Sequence, residues 1–162
     1  MSGTHGNDGL GLRHRLLLGL LHRVHFFRRG MTLGVRAACF NAGGEVFLVR
    51  HSYVPGWYLP GGGVERDETA MEAVLKEIRE EGNLEALEIP QLFHVYHNRH
   101  ASRRDHVLLF RATVRQTAPR PADREIVECG FFDPQDLPQG VTKATRLRLA
   151  ELSGAAWPAE IW

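Results

Sequence analysis

The sequence is short of cysteine, of net charge and of long apolar runs, and each shortage removes a class of protein. Two cysteines, Cys39 and Cys129, cannot make a disulfide framework in 162 residues. Each sits in an apolar, strand-like run where a buried thiol is the default, so a reducing, cytoplasmic setting is expected. A net charge of +1 gives no global attraction to nucleic acid or to an anionic membrane, and no stable nucleic-acid binding is expected. The apolar run LLLGLL near the amino terminus is interrupted by His22 and Arg23. It is too short and too charged to span a bilayer, and no small-residue cleavage site follows to make it a signal peptide. No internal repeat or low-complexity block occurs. What is present, 43% hydrophobic and 24% charged residues, is the composition of a globular chain long enough for one sizeable core.

The chain is organised around Gly61 to Leu84, GGGVERDETAMEAVLKEIREEGNL. Thr69 followed by Glu72 fits a capping box, which starts a helix with Met71, Val74, Leu75 and Ile78 as its buried stripe. At about 100° per residue, Glu77, Glu80 and Glu81 then fall side by side on a neighbouring face. Like charges four apart repel, and carboxylates at the carboxyl end of a helix oppose its dipole. A solvated acidic face would carry Lys or Arg four residues after each Glu, but the positions after Glu77, Glu80 and Glu81 are Glu81, Leu84 and Glu85. A hard divalent cation such as Mg²⁺ or Mn²⁺ would relieve the repulsion. The glycines, without Cβ, would let the backbone approach a metal or a phosphate.

In this register Gly62, Glu68, Lys76, Glu77, Ile78, Glu80, Glu81 and Leu84 resemble the signature of the Nudix hydrolases, G-x5-E-x7-R-E-U-x-E-E-x-G-U with U a bulky aliphatic residue. Lys76 stands where the family has Arg, and Asn83 stands where it has Gly. Asn tolerates the left-handed conformation after a helix, and Gly82 offers a second way to end it. Lys76 lacks the planar fork for bidentate contact, so weaker orientation of Glu68 or Glu77 is expected.

The resemblance implies an α/β/α sandwich with a mixed sheet and metal-dependent hydrolysis of a pyrophosphate bond in a nucleoside diphosphate linked to another moiety. It implies Glu80 and Glu81 as main ligands of Mg²⁺ or Mn²⁺ and the Gly61 carbonyl as a further one. Glu77 is then a third ligand or the group that orients or deprotonates water, and Glu68 and Lys76 are braces. A further acidic residue outside the signature is expected at Glu125, with Glu128 in reserve. The alternative is a non-catalytic nucleotide-binding or regulatory module on the same fold.

Taken in order, residues 1–9 read as a disordered leader and residues 10–30 as an amphipathic basic helix. That helix would pack on the domain or a dimer partner, or lie on a membrane surface. Residues 31–162 hold the Nudix-like domain. Thr32 to Phe40 and Glu45 to His51 form a hairpin about NAGG. In the aromatic loop that follows, Trp57 and Tyr58 line a substrate pocket or cap the core. Leu87 to Tyr96 and His106 to Val114 read as strands, Glu125 to Phe132 as another, and Thr142 caps a last helix through about Ser153. His94, His97 and His100 are three apart, but a strand or loop does not keep that spacing on one face, and no zinc is expected. Arg99, Arg103 and Arg104 beside them are forked donors suited to an anionic substrate, or only the charges of a solvated loop.

Overall fold

The computed structural model describes residues 30–162. The expected leader and, but for Gly30, the expected basic helix lie outside the described residues. Six strands and two helices follow in chain order: β1 (Thr32–Phe40), β2 (Val46–His51), α1 (Ala70–Gly82), β3 (Leu84–Ala86), β4 (Gln91–His97), β5 (Asp105–Gln116), β6 (Ile126–Phe132) and α2 (Lys143–Leu152). The sheet runs β3-β5-β1-β2-β6, with β4 also paired to β5. It is mixed, because β1 pairs with β5 in parallel while the other strand pairs are antiparallel.

Alternation along the strands divides the core in two. Val35, Ala37, Cys39, Phe47 and Val49 face Ala73, Val74 and Ile78 of α1. Ala38, Leu48, Trp57 and Tyr96 pack with Leu149 of α2. The sheet is therefore sandwiched between helices, as the resemblance implied. Beside the hairpin, β1 and β2 pair at Phe40 and Val46. Further on, the space between them is zipped by the segment Trp57–Val64. Tyr58 exchanges both backbone bonds with Val49 of β2, each 2.9 Å, while Pro60 and Gly62 accept from Ala37 and Val35 of β1, also at 2.9 Å. The glycine stretch is thus built into the sheet.

Helix α1 begins as its sequence requires. The Thr69 side chain accepts from the Glu72 amide, and the Glu72 carboxylate accepts from the Thr69 amide at 2.8 Å. Thr69→Ala is expected to cost about 1 kcal/mol in urea denaturation, the usual worth of such a cap. Asn83 ends the helix in the left-handed region, φ 49°. Gly82 has a different role from the expected stop signal: a Cβ there would stand 2.8 Å from Phe47 Cε1, so it is a close-packing glycine inside the helix.

Two further expectations are corrected. Leu75 is 37% exposed, and the buried stripe is Ala73, Val74, Ile78 and Glu81, so the helix is rotated to bring a carboxylate to the sheet. The strand expected from Leu87 begins at Gln91, just past Pro90, while Leu84–Ala86 forms its own short strand against β5. Proline has no amide to give a ladder, which separates the two.

Candidate active site

Glu81, the last carboxylate of α1, is 5% exposed. Because Pro60 and Gly62 spend their carbonyls on β1, Gly61 between them turns its amide to α1 and donates to Glu81 Oε2 at 2.8 Å. Burial pushes the Glu81 carboxyl up to about 7. The Gly61 amide and the Arg36 guanidinium pull it down, while Glu77 and Glu125 add to the rise. One turn earlier, Glu77 lies against Gly62, where a Cβ would stand 2.3 Å from Glu77 Oε1. Burial also holds the Glu77 carboxyl above the usual range.

Two more groups complete the cluster. Ligand atoms of His51, Glu81 and Glu125 all lie within 4.8 Å of one another. His51 ends β2 beside an irregularity in the β2–β6 register between Arg50 and His51, a feature that re-aims a side chain. Its Nε2 is 3.7 Å from Glu81 Oε1, beyond hydrogen-bonding range. Burial, then the Arg36 charge, push the imidazole down against an upward pull from Glu125, while burial pushes the Glu81 carboxyl up. Glu125 is set by a turn in which Asp123 Oδ1 accepts the amides of Glu125 and Ile126, both at 2.8 Å. The Ser52 amide fixes the Glu125 carbonyl at 2.9 Å.

The other expected residues separate into groups. Lys76 Nζ lies 2.8 Å from Glu68 Oε1, and Glu68 Oε2 accepts from the Glu65 amide at 2.8 Å, so this pair ties the helix to the loop before it. Glu80 is open to solvent, its side chain 60% exposed, with Arg79 Nη2 3.9 Å from Oε1. Glu128 is held across the β2–β6 ladder by Arg50 at 2.9 Å, which leaves Glu125 as the acidic residue at the cluster. Trp57 and Tyr58 point to opposite sides of the sheet. Trp57 is 6% exposed, edge-on to Phe132 in the α2-side core, so of its two expected roles it takes the core-capping one and not that of a pocket wall. Tyr58 is on the α1 side, its ring 5.8 Å from His51. Arg99, Arg103 and Arg104 are exposed in the β4–β5 turn, whose Arg104 carbonyl accepts from Thr32 at the start of β1. The His97 ring stacks on His106, with centroids 5.2 Å apart, and His94 meets Tyr96 edge-on.

Sequence reasoning missed His51 and Arg36. Arg36 donates to the Leu59 carbonyl at 3.0 Å and acts electrostatically on Glu77, Glu81 and His51. Its signal was a charge inside the otherwise apolar strand TLGVRAACF. His51 carried no comparable signal, since a strand-end histidine is ordinary.

A mixed sheet between two helices, with carboxylates gathered against a glycine segment, is an arrangement suited to holding a cation. The NUDIX domain family model matches residues 30–152, and the chain belongs to the Nudix family, hydrolases that cleave pyrophosphate bonds in nucleoside diphosphate derivatives. It is similar to a MutT Nudix hydrolase from Burkholderia pseudomallei, with 28% identity, 75% of this chain and 97% of that one covered, and a TM-score of 0.63. An ADP-ribose pyrophosphatase from Streptococcus suis is 26% identical, with 80% and 96% covered and a TM-score of 0.58. The MutT protein from Methanosarcina mazei, 21% identical, shares the fold, with 77% and 94% covered and a TM-score of 0.64. No curated protein matches the chain. Among the described residues no helix is long and apolar enough to cross a membrane.

Nudix hydrolases use divalent metal ions such as Mg²⁺, and the donor set here fits one. Glu81 is buried, held in place by an amide and flanked by Glu77, Glu125 and an imidazole, so ionising it is costly until a cation is present.

Proposed function

We propose that this chain cleaves the pyrophosphate bond of a nucleoside diphosphate linked to another moiety, using Mg²⁺ or Mn²⁺ held by Glu77, Glu80, Glu81, Glu125 and the Gly61 carbonyl. The observation that carries this reading is the buried Glu81 carboxylate, fixed by the Gly61 amide and facing Glu125. When bound, the divalent ion supplies charge neutralisation on the diphosphate and acidifies water. Glu77, one turn before Glu81 and packed against Gly62, is either one of the metal ligands or the group that orients or deprotonates the attacking water. Arg36 supplies a fixed positive charge behind the acidic cluster. Arg99, Arg103 and Arg104 serve as forked phosphate donors from the β4–β5 turn.

A cleft of about 500 Å³ opens beside the cluster, lined by His51, Tyr53, Pro55 and Val127 among others. Its size suits part of a nucleotide, and Tyr53 and Tyr58 offer ring faces near its His51 wall. The test is a screen of ADP-ribose, nucleotide sugars, dinucleotides and nucleoside triphosphates with Mg²⁺ and Mn²⁺. ADP-ribose comes first because the Streptococcus suis relative is an ADP-ribose pyrophosphatase. Phosphate-containing products that appear only with metal support the reading.

The substitution at the signature arginine favours a second reading, a module that binds nucleotides without cleaving them. Binding with no turnover across the panel would establish it. Lys76 already reaches Glu68, so Lys76→Arg is expected to keep or raise kcat/KM by adding a second donor to the same carboxylate. A sharp loss would show a brace built around lysine.

A further inference from the structure

We infer that the His51 imidazole is itself a ligand of the metal, making this a mixed nitrogen and carboxylate site with Glu81 and Glu125. The inference rests on the proposed function, since it concerns the same ion. His51 is 6% exposed, and its Nδ1 is buried with no hydrogen-bond partner. Its Nε2 stands 3.7 Å from the nearest Glu81 oxygen, beyond hydrogen-bonding range. A buried imidazole whose Nε2 faces Glu81 without hydrogen-bonding to it marks a missing partner between them. A cation among these three residues supplies that partner to the ring and a counter-charge to both carboxylates.

The surroundings agree. Tyr53 and Tyr58 lie against the ring, with centroids 5.1 and 5.8 Å away, which limits its rotation. Donor atoms within 4.8 Å of one another need only small side-chain adjustments to share an ion. A nitrogen donor also shifts preference from Mg²⁺, which favours oxygen, toward Mn²⁺ and later first-row ions.

The experiment loads the full chain with Mn²⁺ alone and records electron spin echo modulation, which detects ¹⁴N bound to the ion. Wild type should show nitrogen coupling, and His51→Gln should lose it together with about tenfold or more of its Mn²⁺ affinity. Bound Mn²⁺ without nitrogen coupling in wild type, or coupling that persists in the variant, would overturn the inference. Should the variant fail to fold, wild type labelled with ¹⁵N-histidine decides, because an unchanged spectrum overturns the inference and a shifted coupling supports it. The two levels stay distinguishable. Mn²⁺ that binds and supports hydrolysis without nitrogen coupling sinks this inference alone, whereas no metal binding and no hydrolysis sink the proposed function as well.

Discussion

Glu81→Gln is expected to lower turnover about a thousandfold, the equivalent of about 4 kcal/mol of transition-state stabilisation, while making the metal-free protein more stable at alkaline pH. The two effects come from one carboxylate. Burial raises the Glu81 carboxyl from an ordinary 4.5 to about 7. A group raised on folding favours the folded state fully below its unfolded value, and that advantage is lost as pH rises through the folded value. Between about pH 4.5 and 7 the metal-free protein therefore loses about 3 kcal/mol from this group alone. Gln keeps an oxygen for the Gly61 amide and never ionises, so its stability curve is flatter over that window. Urea denaturation at pH 5 and pH 8 in chelator measures the difference. Adding Mg²⁺ at pH 8 should then stabilise wild type by mass action and leave the variant nearly unmoved.

Adjacent glycines should fail in opposite ways. Gly61 has φ +146°, and a Cβ there would stand 2.1 Å from the Val35 carbonyl oxygen, a backbone atom of the sheet. Neither strain nor overlap can relax cheaply, so Gly61→Ala is expected to cost about 4 kcal/mol and about 10 °C in Tm. At Gly62 the obstacle is the Glu77 carboxylate, the far end of a flexible side chain, 2.3 Å from the added Cβ. Gly62→Ala should therefore fold nearly as well as wild type while displacing Glu77, with turnover down about a hundredfold. Thermal melts and steady-state kinetics on both variants read the contrast, and equal loss of stability would show that the two glycines share one packing role.

The local signals in this sequence were read directly because their partners are close in the chain. Thr69 and Glu72 cap one helix turn, and Asn83 adopts the left-handed stop. The register of Lys76, Glu77 and Glu81 places these side chains on one helix, with Glu68 in the loop before it. What escaped depends on the parting of β1 and β2. That gap admits Trp57–Val64, and pairing of Tyr58 with Val49 is what sends Trp57 into one core and Tyr58 toward the other. It also brings His51 and Arg36 toward Glu81, residues thirty and forty-five positions away in the chain. No periodicity along a strand encodes such a meeting. Leu75 was misplaced for a related reason, since an apolar pattern fixes a helix face only to within about one residue, and here the face turns to bury Glu81.

The most direct measurement follows ADP-ribose and nucleotide-sugar cleavage by wild type and by a Glu80→Gln, Glu81→Gln double variant, each in chelator, Mg²⁺ and Mn²⁺. Metal-dependent release of nucleoside monophosphate by wild type, absent from a folded double variant, is the predicted result. Equal turnover in the double variant, or in chelator, would contradict the assignment of this carboxylate cluster as the hydrolytic centre.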